Sequence, residues 1–120
     1  MATKPRKLVK TVPSRLQDIY PDVQVYQDEL DHSLRDQRDL LIQAEQIFST
    51  IENPTAVHRS KTHPAGMLLV NSDIVSTAGD PLRVAIKVLR DGNTADAFLS
   101  TAHFASSKNH GELLWKKDEE

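Results

Sequence analysis

The chain has 120 residues, 38% of them hydrophobic and 5% aromatic, with a formal net charge of −2. That length holds one domain and is short for two, and the near-neutral charge excludes a protein that coats nucleic acid over its whole surface. With no cysteine, disulfides, thiolate metal sites and cysteine nucleophiles are excluded too.

The N-terminal charges are followed by no apolar run, and no window approaches 18 apolar residues, so the expectation is a soluble, cytoplasmic protein without signal peptide or membrane span. The tail is purely basic: Lys4, Arg6, Lys7, Lys10 and Arg15 carry no acid among them. Residues 1–13 read as a disordered basic tail ahead of a single helical domain over 14–117. Pro13-Ser14 opens a short segment in which Leu16, Ile19 and Tyr20 share a helical face, and Pro21-Asp22 breaks it.

A long amphipathic helix is expected next, over about 22–52. Residues 18–45, which include most of it, are acidic, with Asp18, Asp22, Asp28, Glu29, Asp31, Asp36, Asp39 and Glu45 against only Arg35 and Arg38. Such a helix is roughly 46 Å long, whereas a compact domain of this size is about 35 Å across. It must therefore project, break or meet another copy. Leu30, Leu34, Gln37, Leu41, Ala44, Phe48 and Ile51 follow a heptad seam, which predicts self-association through a coiled coil. Asn53-Pro54 closes the helix, because the residue before proline is pushed out of the helical region.

After a polar loop, three segments repeat one grammar. Pro64 and Gly79, Asp80-Pro81 and Gly92, and Thr94 with Gly111 supply starts and stops for three short helices. The face of the first runs through Met67, Leu68, Asn71, Ile74, Val75 and Ala78, with Asn71 as its single polar interruption. The third collects Ala95, Phe98, Leu99, Ala102 and Ala105. The middle segment, 81–91, is ambiguous, since Leu82, Val84, Ile86 and Val88 alternate as in a strand and Asp91-Gly92 is a hairpin signal. The Asp80-Pro81 pair decides for a helix. The predicted fold is all-α, a long N-terminal helix followed by three or four short helices in a small bundle; the alternative is α+β with a C-terminal hairpin at 82–104.

No motif specifies chemistry. His32, His58, His63, His103 and His110 lack metal-ligand spacing. The four glycines are dispersed and cannot form a phosphate-cradling loop, and no nucleophile elbow exists. No catalytic residue, metal or cofactor is expected. The leading expectation is a non-enzymatic, self-associating structural, scaffolding or adaptor protein with possible protein partners. The alternative is a small nucleic-acid-binding regulator, using the basic tail and a helix-turn-helix-like segment over 74–89. On that reading Arg83, Lys87 and Arg90 form a stripe that holds phosphate without reading sequence, alongside Lys4, Arg6, Lys7 and Lys10. Any such affinity is expected to be weak and non-specific. Trp115 either caps the core or anchors a partner.

Overall fold

Valine and isoleucine at every second position decide the centre of the molecule. In strand β5, Pro81–Asp91, Leu82, Val84, Ile86 and Val88 are buried while the residues between them are not. β-branched side chains at that spacing suit a pleated strand and lose rotamer freedom in a helix. Asp91 then leads through Gly92, which adopts φ 60°, into β6, Thr94–Phe104. The pair forms an antiparallel hairpin with register from Leu82↔Phe104 to Asp91↔Thr94. Pro81 opens a strand here and Asp80 caps no helix, although the pair also suits a helix start. Proline lacks an N–H, and the first position of a strand tolerates that loss.

The computed structural model describes residues 7–35, 44–61, 63, 65–76, 78–104 and 111–117. These described residues form one seven-stranded mixed sheet and two helices. The all-α bundle is thus overturned, and with it the coiled coil and the helix-turn-helix over 74–89. The remaining strands are β1 (Leu8–Val12), β2 (Val23–Tyr26), β3 (Ala56–Arg59), β4 (Gly66–Val75) and β7 (Leu113–Lys116). Their order across the sheet is β1-β2-β6-β5-β4-β3-β7. Every neighbouring pair is antiparallel except β2 with β6. Leu68, Leu69 and Val70 on β4 are all buried, so this strand reads as a continuous apolar run with no alternation to mark it. Leu8–Val12, within the segment read as a tail, pairs with β2 and buries Val12.

The described part of the expected long helix over 22–52 comprises a strand and two helices. Val23 and Val25 alternate with Gln24 and Tyr26 in β2 and are fully buried. Helix α1, Gln27–Arg35, follows directly, and α2 spans Ala44–Glu52, stopping ahead of Asn53-Pro54. The seam residues on these helices face the chain's own sheet. Leu30 and Ile51 are buried in the core, with Leu34, Ala44 and Phe48 packed against it. Gln37 and Leu41 lie outside the described residues. Helix α2 packs on β1, β4 and β5, and α1 runs along β6. There the Ala102 N–H donates to Ser33 Oγ (3.1 Å), which itself donates to the Glu29 carbonyl (2.8 Å). Tyr20, reached through a single helical turn at Leu16, donates to the Ile51 carbonyl (2.6 Å). Asn71 Nδ2 donates to Thr50 Oγ1 (3.2 Å), so the polar interruption of β4 is satisfied by α2. Among the described residues no helix is long and apolar enough to cross a membrane.

Gly92 and Asp80 report on this topology. Gly92→Ala is expected to cost about 1–2 kcal/mol for a side chain forced to positive φ, whereas Asp80→Ala should stay within about 0.5 kcal/mol. Urea denaturation measures both, and a large loss at Asp80 contradicts the strand. Deleting residues 1–12 removes β1 from the edge of β2. The truncation should therefore lower the urea midpoint, and an unchanged midpoint would show that β1 contributes nothing.

Candidate functional site

Alternation in the central strands sends one set of side chains to the helices and the other set to the opposite face. Three cross-strand rows make up that second face. Gln24, Phe98 and Lys87 are in register on β2, β6 and β5. Thr101, Ala85, Leu68 and His58 follow on β6, β5, β4 and β3. His103, Arg83, Val70, Ala56 and Lys116 complete it. The face is not uniformly open. Leu68 and Val70 are buried, while Lys87 and the neighbouring Leu89 are exposed.

The open end carries two aromatic rings. Tyr26, two residues beyond Gln24, stacks on Phe98 with ring centroids 6.2 Å apart and planes at 30°. The Tyr26 hydroxyl donates to Gln24 Oε1 (3.0 Å), which fixes the ring's orientation. A groove of about 550 Å³ adjoins the pair, lined by Glu29, Lys87, Leu89, Phe98, Leu99 and Ser100. Ser100 is the extra residue of a bulge, because Leu99 pairs with Ile86 and Thr101 with Ala85. Bulges re-aim side chains in this way.

At the other end, Arg83 Nη2 lies 2.6 Å from His103 Nε2. A guanidinium only donates, so the imidazole nitrogen accepts and the ring's proton is assigned to Nδ1. Burial, reinforced by the Arg83 charge, pushes His103 below the ordinary histidine range. Burial also pulls the guanidinium below its usual range. Arg83 Nε is buried with no hydrogen-bond partner among the described residues.

The expected basic stripe is partly present. Arg83 and Lys87 share this face, but Arg90 points to the other, where Nη2 donates weakly to the Ile19 carbonyl (3.4 Å). Lys10 is drawn to α2, its Nζ 5.1 Å from the Phe48 ring centroid. Lys7 contributes its carbonyl to the Gln27 N–H (2.8 Å). Lys4 and Arg6 lie outside the described residues. Trp115 is half-buried on β7 opposite Val57 and packs against the core. Tyr26, Phe98 and Ser100 were missed because they matter only once β2 and β6 lie side by side. Two-residue alternation in β6 was the available signal for Phe98. Among the described residues no group of three or more histidine or acidic side chains is placed to hold a metal ion. No family model, curated protein or solved structure matches the chain.

The His103 pair predicts a pH dependence. Its folded pKa is depressed below the ordinary histidine value of about 6.5, so the unfolded chain takes up the proton first as pH falls. The stability tied to His103 is present above that value and is lost as pH drops through it toward the folded pKa. The urea midpoint should be lower at about pH 5.5 than at about pH 7.5, and His103→Gln should shrink the difference. An equal pH dependence in both proteins would contradict this.

Proposed function

We propose that the protein is a single-stranded nucleic-acid-binding module that uses the sheet face bearing Tyr26, Phe98 and Lys87, bordered by Glu29 of α1. The stacked Tyr26–Phe98 pair, with Lys87 in direct cross-strand register beside Phe98, carries this reading. Every nucleobase offers a π-face, so an aromatic pair on a sheet accepts bases without selecting sequence. Lys87 is exposed and supplies a point charge for a phosphate next to the stacked base. Arg83 extends the same charge along β5. Single strands are favoured over duplex because stacking needs an unpaired base, and the described helices present acids such as Asp28 and Glu45, which a phosphate-lined groove repels. The formal net charge of −2 keeps the affinity weak and dependent on salt.

A second reading, self-association, has one supporting observation. Among the described strands the outer edge of β1 has no neighbour, and Leu8 and Val9 on it are 47% and 39% exposed. Lys7 and Lys10 beside them blunt such an edge. Light scattering tests this reading, for which a mass of one 13.5 kDa chain would exclude a stable dimer.

Fluorescence anisotropy with labelled oligo-dT, oligo-rU and a duplex of equal length tests the main proposal. Binding should favour the single strands and leave them uncleaved. Phe98→Ala should cost about 1–3 kcal/mol. Lys87→Ala should flatten the plot of log affinity against log salt by about 0.7. Absence of binding at low salt, a preference for duplex, or an unaffected Phe98→Ala variant would overturn it.

A further inference from the structure

We propose that Arg83 and His103 form a seat for one phosphate group on this sheet face, a reading that rests on the nucleic-acid interface above but is separable from it by experiment. The shape of the guanidinium carries the inference. Its Nε–H and one Nη2–H point the same way and make a two-pronged edge that matches two oxygens of a phosphate or carboxylate. Here the Nη2 prong meets His103 Nε2 at 2.6 Å, while Nε is buried and unpartnered among the described residues. An imidazole nitrogen has a single lone pair, so histidine can fill one prong only. No described carboxylate forms an ion pair with Arg83, and burial alone accounts for its lowered pKa. The edge is therefore half used by a neutral neighbour, although an anion would use it fully.

Position supports the same ligand. Arg83 and Lys87 are four residues apart on one strand and on one face, about 13 Å along the sheet. A nucleotide chain stacked at Tyr26 and Phe98 with a phosphate at Lys87 can run along β5 and lay a second phosphate on Arg83. The incoming group takes both prongs and displaces His103 Nε2. The imidazole then faces an anion in place of a cation, which favours its protonated form and adds a donor to the seat. The shared chemistry is that of a phosphate oxyanion, whether an internal diester or a terminal monoester.

Nuclear magnetic resonance of the full chain, titrated with inorganic phosphate at constant ionic strength, tests the seat. Saturable shifts of the Arg83 Nε–H and the His103 ring are expected. Arg83→Lys keeps the charge but has no fork, and should abolish saturation. His103→Ala frees the Nη2 prong but removes the added donor, so phosphate should still saturate the site, several-fold more weakly than in the parent. An unmoved Arg83 Nε–H, saturation retained in Arg83→Lys, or loss of binding in His103→Ala would each overturn the proposal. Oligo-dT binding with equal affinity to Arg83→Lys would also remove the seat while leaving the stacking interface in place. Phosphate saturation without oligo-dT binding would keep the seat and remove the interface. Oligonucleotides with and without a 5′-phosphate identify the source, since a terminal seat gives at least a tenfold preference for the phosphorylated form and an internal one gives none.

Discussion

Pairing of β5 with β6 is the interaction on which the remaining architecture depends. The two are the longest of the described strands and pair through almost their whole length. Each also carries a second neighbour, β4 on one side and β2 on the other. Because side chains alternate along both strands, the hairpin settles at once which residues face the helices and which do not. A one-residue slip would bring Arg83 and Lys87 into the core and expel Val84, Ile86 and Val88. The Ser100 bulge shows how tightly that constraint acts. It shifts the register once, between Leu99 and Thr101, yet Ala97, Leu99 and Ala102 all remain buried.

The two helices answer a need that the sheet creates. Buried apolar side chains on one face must be covered, and α2 covers them with Ile47, Ile51 and the ring of Phe48. Polar groups then have to be matched at the same contact. Tyr20 satisfies the Ile51 carbonyl and Thr50 satisfies Asn71, so the helix end and the β4 polar residue are not left as buried costs. Helix α1 does a different job, lying along the part of β6 beyond β2, where Ser33 accepts the Ala102 N–H. At this stretch of β6 a helix side chain takes the place of a neighbouring strand as acceptor.

Much of the local punctuation was legible in the sequence, while the element type was not. Asn53-Pro54, Gly79 and Gly92 mark real ends and turns, but starts and stops look alike for helices and strands. Asp80-Pro81 illustrates the difficulty, because proline suits a first position in either. Segment 82–91 carried both periods, and pairing with β4 and β6 selected the two-residue one. The alanines of β6 favour a helix in isolation, and neighbouring strands overrode that preference. The heptad spacing from Leu30 to Ile51 was real as a pattern of apolar residues, but its described members are shared by two helices on a sheet. Of the site, Arg83 and Lys87 were legible as a pair because spacing by four preserves a face in a strand and nearly does so in a helix. Arg90 was not, since three residues beyond Lys87 is the same face only in a helix. Tyr26 and Phe98 are 72 positions apart, and no local pattern could join them.

Arg83 is where fold and function pull apart. A strand position in the middle of a sheet, beside the buried Val70, is a natural place for an apolar residue. A guanidinium there loses hydration, and its one described hydrogen bond goes to a neutral imidazole held below its own usual pKa. Neither partner gains what it would from a carboxylate, so the pair is a weak device for stability. Lys87, only one row of outward residues away past Ala85, stays in water and costs the fold little. A sheet face built for stability alone would keep its charge at the open end and carry an apolar residue at position 83. Keeping the less hydrated cation in the sheltered position makes sense when an anion arrives to complete it, because low local polarity strengthens that contact once both prongs are engaged.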